Sequence, residues 1–229
     1  MVDIIMFTNE RSGIQGFHRL PLARSLARLL CPRGGRLLVI SHYLSLSVGN
    51  LPKIVNFMST AADATNYQID RNIYHLTPIV AGNLTIGHRF PFLLNILKKQ
   101  IKTQILRAMA NAGFAQNRPR IVWLTHPYHL AYLELLGESL AVYDCYDDFS
   151  LFNKKKADMA VLNKEKELAS NVDVIFASSG VLVNRLNPFN KNSYLFNSAT
   201  DANFAWYTHG KYDGHPAEMP QIIKPIIGF

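Results

Sequence analysis

Between Leu140 and Ser179 the sequence runs apolar, then helical, then apolar again, and that succession restricts the chain to a parallel sheet. Leu140-Ala141-Val142-Tyr143 is a fully apolar run of strand length, and Val172-Asp173-Val174-Ile175-Phe176-Ala177 is a second. A helical pattern extends between them from about Lys155 to Ser170. Strands covered on both faces lose the alternation of half-exposed strands, and strand, crossover helix, strand is the unit that joins parallel neighbours. The first run breaks at Asp144-Cys145-Tyr146-Asp147-Asp148 and the second at Ser178-Ser179-Gly180. Open parallel sheets bind ligands beyond the carboxyl ends of their strands, so Asp144, Asp147 and Asp148 stand where a substrate is expected. The competing role for these carboxylates is capping of a turn or helix.

The same grammar recurs along the chain. Val2 to Phe7 reads as a strand, Thr8 to Gly16 as a polar glycine-softened loop, Leu20 to Leu30 as a helix stopped by Pro32-Arg33-Gly34-Gly35, and Arg36 to Ser41 as the next strand. Ile121 to Thr125 is a further buried strand, followed later by a short helix from Val181 to Leu186 and a strand from Asn192 to Asn197. The pattern is weaker between His42 and Arg89, where Leu51 to Met58 reads as a short helix and Asn72 to Ile79 as a strand. A helix from Asp201 to Tyr207, capped by Asp201, closes the series. These elements predict an α/β, Rossmann-like parallel sheet of about six or seven strands with helices on both faces, spanning residues 1–207. Residues 208–221, rich in Gly and Pro, read as a linker, and 222–229 as the first strand of a further domain.

Polar groups collect at the predicted strand ends. The loop after the first strand offers Asn9, Arg11, Gln15 and His18 to a ligand, but it has neither G-x-G-x-x-G nor a phosphate-loop lysine. A plain surface connection explains the same loop. His126 and His129 have a metal-like spacing without a third ligand nearby, so no metal is expected and His126 is read as a positioning group beside the Asp144–Asp148 segment. A structural, hydrogen-bonded histidine is the alternative. Cys31 and Cys145 fit no metal or redox spacing, no basic-then-apolar leader opens the chain, and no apolar stretch reaches 18 residues. A reduced, cytoplasmic setting is expected.

The net charge of +8 is concentrated. From Arg71 to Leu133 there are eight Lys or Arg and no Asp or Glu, while the other sixteen basic residues balance all sixteen acids. Phe92 to Arg107 reads as helical, with Asn111-Ala112-Gly113 ending the helix, and has Leu93, Leu97, Ile101 and Ile105 on one stripe and Lys98, Lys99 and Lys102 off it. With Arg89 and Arg107 these lysines form a candidate docking face for an anionic membrane surface. Packing of the apolar stripe on the sheet, with solvated lysines, accounts for the same pattern. Aromatic residues are not interleaved with the basic ones as a single-strand nucleic-acid platform requires, so no nucleic acid is expected, although a non-catalytic basic module binding an anionic surface or nucleic acid is the alternative class.

The succession Val142-Tyr143-Asp144-Cys145-Tyr146-Asp147-Asp148-Phe149, the Glu165-Lys166-Glu167-Leu168 helix, Val172 to Ser179, and Asn197 before Asp201 and Phe204 resembles two-domain GT-B glycosyltransferases. The bacterial group that builds surface and exopolysaccharides, filed with glycosyltransferase families 1 and 4, is the nearest likeness. Arg19, Pro21, Leu22 and Ala23, with Leu26 and Ala27, are similar to that group's first helix. Asn197-Ser198-Ala199 departs from the Asn-Gly usual there. The resemblance implies an amino-terminal, acceptor-binding half acting on a glycan or lipid-linked acceptor. Pro225 to Phe229 then matches the opening strand of a nucleotide-sugar-binding half, so this half alone is expected to bind no cofactor and to be inactive without its UDP- or GDP-linked donor. In inverting relatives an Asp of the amino-terminal half is the general base, and Asp148 or Asp147 matches it. Mutual repulsion of these two carboxylates is expected to raise one pKa toward a useful value.

Overall fold

The computed structural model describes residues 1–9, 19–45, 66–70, 72–81, 91–151 and 158–196. These contain ten strands: β1 (Asp3–Phe7), β2 (Leu37–Ile40), β3 (Leu44–Ser45), β4 (Asn66–Asp70), β5 (Ile73–Leu76), β6 (Ile79–Val80), β7 (Arg120–Leu124), β8 (Leu140–Cys145), β9 (Val174–Ala177) and β10 (Ser193–Leu195). The α-helices are α1 (Leu20–Leu30), α2 (Pro91–Asn111), α3 (Met159–Asn171) and α4 (Gly180–Leu186). A 3-10 segment, Pro127–Tyr132, follows β7.

Eight strands form one sheet in the order β10-β9-β8-β7-β1-β2-β5-β4. The first seven are parallel, and β4 is an antiparallel edge strand joined to β5 by a turn in which Asn72 takes φ 64°. The expected α/β parallel sheet is therefore present. From the central β1 the chain steps outward through β2 to β5, and α2 carries it back to β7 on the other side of β1. It then continues outward through β8, β9 and β10. The direction reverses between β1 and β7, the crevice where doubly wound sheets hold ligands.

Period-two alternation divides the strands between two cores. Ile5, Phe7, Leu38, Ile40, Val122, Leu124 and Tyr143 meet α2, the 3-10 segment, α3 and α4 on one face. Ile4, Met6, Leu37, Val39, Trp123 and Val142 lie on the other, where Ala23, Ala27 and Leu30 of α1 pack. Burial on both faces is why these strands read as continuous apolar runs.

The short pair β3–β6 continues β2 and β5 past a shift in register. Ile40 opposes Leu76, but Leu44 opposes Ile79, so Ser41, His42 and Tyr43 face only Thr77 and Pro78. One extra residue on the β2 side makes a bulge, and Pro78, without an N–H, leaves no ladder bond to be lost there. The bulge carries His42 and Tyr43 out beyond the sheet. Helix α2 ends at Asn111, where Asn111-Ala112-Gly113 was expected to stop it, and closes at Gly113, whose φ is +68° while Phe114 N donates to Met109 O at 2.8 Å. Helix α3 starts later than the expected Lys155, because Asp158 caps it by accepting from Ala160 N at 3.0 Å. The described residues all fall in one unit, Met1–Asn197. The expected short helix at Leu51–Met58, the Asp201–Tyr207 helix, the linker and the final strand lie outside them, as do Arg11, Gln15, His18 and Arg89.

Candidate functional site

A cleft of about 700 Å³ opens at the carboxyl ends of β1, β2 and β7, at the reversal point of the sheet. β1 contributes Phe7, Thr8 and Asn9, the bulge contributes Ser41, His42 and Tyr43, the segment after β7 contributes His126, Tyr128, His129 and Tyr132, and α3 contributes Asn163, Lys164 and Glu167. Pockets of this size suit a small-molecule ligand.

The floor is built by hydrogen bonds that fix side chains rather than leave them free. Thr125 Oγ1 donates to Phe7 O at 2.9 Å, and Phe7 stacks on Tyr132 with centroids 4.4 Å apart. Thr125 N donates to His129 Nδ1 and Tyr128 N donates to His126 Nδ1, each at 3.2 Å. Burial lowers the pKa of His126 to about 4 and that of His129 well below 6.5, with His42 adding repulsion in both cases and His126 adding it for His129. Neutral imidazoles that accept at Nδ1 carry their proton on Nε2. His126 and His129 are therefore hydrogen-bond donors at Nε2, not bases. Thr8 stands at the switch point itself. Its N–H is satisfied by Ile40 O at 2.8 Å, but its hydroxyl is buried and has no partner among the described residues. A buried hydroxyl left unpaired costs roughly 1–3 kcal/mol, which a bound water or ligand oxygen removes.

The three candidate carboxylates do not converge on this cleft, and none is among its described lining. Asp144 lies within β8, not beyond it, and alternation turns it to the α1 face. There it accepts from Arg19 Nη2 at 2.7 Å and Trp123 Nε1 at 3.2 Å, while Arg19 also lies over the Tyr146 ring. Burial pushes the Asp144 carboxyl up, and Arg19 and Trp123 offset part of that. Asp147 is exposed and accepts from Asp148 N at 2.8 Å. Asp148 points to α4, accepting from Ser150 N and Oγ at 3.1 and 2.6 Å and pairing with Arg185 Nη1 at 2.5 Å. The expected upward shift is corrected for Asp148: desolvation raises its pKa, but the bonds from Ser150 and Arg185 outweigh it and hold the carboxyl below its usual range. The carboxylate loop still touches the cleft indirectly, because Phe149 packs edge-on against His126 at 4.5 Å.

Sequence reasoning missed the network behind that loop. Glu165 of α3 is 3% exposed and accepts from Tyr143 Oη at 2.9 Å, with Cys145 Sγ 3.5 Å away. Arg185 Nη2 lies 2.9 Å from Glu165 Oε2 as an ion pair without hydrogen-bond alignment, so one guanidinium bridges Glu165 and Asp148. The signal was present: Val161, Glu165, Leu168 and Ala169 form the buried stripe of α3, and an acid on an apolar stripe needs a partner. Ser41 Oγ and His75 Nε2, 2.6 Å apart and buried, form a second unforeseen pair, with burial lowering the His75 pKa to about 4.

The basic candidates separate. Lys99, Lys102 and Arg107 are exposed on α2, whereas Lys98 is half-buried and lines a different groove with Glu134 and Glu138. Arg118 bonds to Gly34 O and pairs with Asp3 at 3.5 Å, and Arg120 donates to Leu136 O at 2.9 Å and Gln116 O at 3.1 Å. Part of the basic excess thus serves the fold. Among the described residues no group of three His, Cys, Asp or Glu is placed to hold a metal ion, and no helix is long and apolar enough to cross a membrane. The sequence matches no model of a known protein family and no curated protein.

Proposed function

We propose that this chain is the acceptor-binding half of a GT-B glycosyltransferase, holding a glycan or the sugar end of a lipid-linked glycan in the switch-point cleft. The observation that carries the reading is the pairing, in one cleft, of aromatic faces with groups that seek hydroxyl partners. Tyr43 and Tyr128 offer ring surface to the apolar face of a sugar, and the Thr8 hydroxyl, without a partner among the described residues, lines the same cleft with Asn9, Asn163 and the two imidazole donors. In the reaction the acceptor oxygen bonds to donor C1 as the C1–phosphate oxygen bond breaks, the nucleoside diphosphate leaves, and a carboxylate takes the acceptor proton. Of the two carboxylates the resemblance offers as base, neither lines the cleft; Asp147, on the adjoining β8 loop, is the better candidate, since no described cation pairs with it, whereas Arg185 holds Asp148 as a weak base. Donor binding and stabilisation of the departing diphosphate are assigned to a second half. The reading includes peripheral work at an anionic membrane surface, where a lipid-linked acceptor is presented.

Saturation-transfer NMR with a panel of oligosaccharides tests the cleft. Thr8→Val and Tyr128→Ala should each weaken binding about tenfold or more, and Thr8→Val should leave stability unchanged or raised because it removes an unpaired hydroxyl. In a transferase assembled with its donor half, Asp147→Asn should lower turnover by ~100-fold. Glycan signals unaffected by both cleft substitutions would remove the acceptor role.

A further inference from the structure

Helix α2 carries two apolar stripes, and the sheet covers only one. Leu97, Ile101, Ile105 and Ala108 face the core and are at most 4% exposed. At roughly 100° per residue, the stripe directly opposite runs through Phe92, Ile96, Lys99, Thr103, Leu106 and Arg107. All six are exposed. Phe92 is 76% exposed, and Leu93, Ile96 and Leu106 are each about 40% exposed, which sets four large apolar side chains among Lys99, Lys102 and Arg107. Leu93 was expected on the covered stripe, but in the first turn of α2 it is 42% exposed, with Phe92 and Ile96. Burial of one face explains the inner stripe, and among the described residues nothing gives the outer one a structural cause.

The helix is held rigidly enough to present that face. Gln104 accepts from Ile79 N at 2.9 Å and donates to Ile79 O at 2.6 Å, and Gln100 accepts from Ala81 N at 3.0 Å, so two side chains clamp α2 to β6 and the residue after it. No acidic residue occurs from Arg71 to Leu133, so α2 itself brings no carboxylate toward an anionic surface.

We propose that the outer stripe of α2 inserts into an anionic bilayer, Phe92, Leu93 and Ile96 entering the headgroup–acyl boundary while Lys99, Lys102 and Arg107 contact lipid phosphates. The inference rests on the peripheral reading above and adds that attachment is apolar as well as electrostatic. A nucleic-acid backbone satisfies the cations equally well, but it has no use for aliphatic Leu93, Ile96 and Leu106.

The test is partition of the full chain onto vesicles of phosphatidylcholine with about one third phosphatidylglycerol, against phosphatidylcholine alone. The wild type binds the anionic vesicles, and a Phe92→Trp variant shows a blue-shifted emission on binding. Phe92→Ser with Ile96→Ser lowers partition about tenfold or more at every salt concentration. Lys99→Glu with Lys102→Glu lowers it by at least about 25-fold at low salt and flattens the salt dependence. These positions are exposed, so unchanged thermal melts certify the fold of each variant. Salt-labile binding that survives the Phe92 and Ile96 substitutions overturns insertion while leaving peripheral attachment standing. Absence of wild-type binding to anionic vesicles at low salt overturns both, and oligonucleotide binding that displaces the chain from vesicles without loss in the serine variant assigns the face to nucleic acid instead.

Discussion

Glu165 is the least soluble problem the fold solves, since a carboxylate at 3% exposure is tolerated only with partners. Tyr143 and Arg185 supply them, and both respond: burial, with Cys145 and Glu165 nearby, raises the Tyr143 phenol well above its usual value, and Glu165 and Asp148 raise Arg185 against the opposing effect of burial. Cys145, buried beside the same carboxylate, has its thiol pushed up in turn, so it is an inert core residue rather than a nucleophile. Arg185→Ala should destabilise by about 2–3 kcal/mol, less than a wholly buried pair, because the Arg185 side chain is 26% exposed. Arg185→Ala combined with Glu165→Gln should recover part of the loss in urea denaturation, and strict additivity of the two would refute the bridge. Asp148 contributes with a definite sign. Its folded pKa lies below its unfolded one, so its stabilisation is complete above the unfolded value and fades as pH falls through the folded one. This cluster was only half legible. The sequence placed Glu165 in a helix and Asp148 at a strand exit, but the convergence of α3, α4 and the β8 loop on one guanidinium is tertiary.

At the scale of elements, legibility followed burial. Strands β1, β2, β7 and β8 are largely covered on both faces and read as apolar runs, as does β9 although its Val174 and Phe176 are only half-buried, whereas β4, a polar edge strand with the sequence Asn66-Tyr67-Gln68-Ile69-Asp70, gave no such signal. Its hairpin turns on Asn72 at positive φ, a conformation Asn tolerates but does not advertise. Asp144 was misassigned for a related reason. Counted as the first residue of a loop it seemed free, yet with Tyr143 and Cys145 on one face, period two places it with Val142 on the other, beside Trp123. Helix ends were clearer. Gly113 closes α2 in the left-handed region, and a Cβ there would also strike the Arg36 guanidinium, which donates to Ala112 O at 2.5 Å. Gly113→Ala should therefore cost about 1–3 kcal/mol, more than the backbone term alone, because strain and a displaced Arg36 add. Gly137→Ala is the control: φ is also positive, +62°, but nothing lies within 4 Å of a new Cβ, so chemical denaturation should show the smaller loss there.

For the molecule as a whole, three neutral histidines set the response to acid. His75 and His126 are lowered to about 4 by burial, and His129 lies well below 6.5 from burial and its two histidine neighbours. The unfolded chain binds protons at these sites near pH 6.5, and the folded chain resists until much lower, so stability is full above about pH 6.5–7 and falls as pH drops toward 4. Each histidine adds up to about 1.4 kcal/mol per pH unit to the slope within that window. His75 and His129, at 3% and 6% exposure, should contribute most of it, and His126, half-exposed at the cleft mouth, less. Destabilisation should thus begin well above the carboxylate range, with two to three protons taken up on unfolding near pH 5. Urea midpoints at pH 7, 6 and 5 measure it, and His129→Gln should lower stability at pH 7 by loss of its Thr125 bond and its tilted ring contacts with Phe7 and Tyr132 while making the pH slope shallower. The cleft supplies an independent check on the same protons. Both cleft imidazoles stay neutral between pH 7 and 6, so a glycan that accepts from their Nε2 hydrogens takes up no proton and its affinity should stay level over that interval while the fold remains intact, whereas a bound anion favours protonation. Affinity that instead rises steeply with acid over that interval would mean that the His126 and His129 imidazoles greet a negative charge, and the cleft would belong to a phosphate or carboxylate ligand.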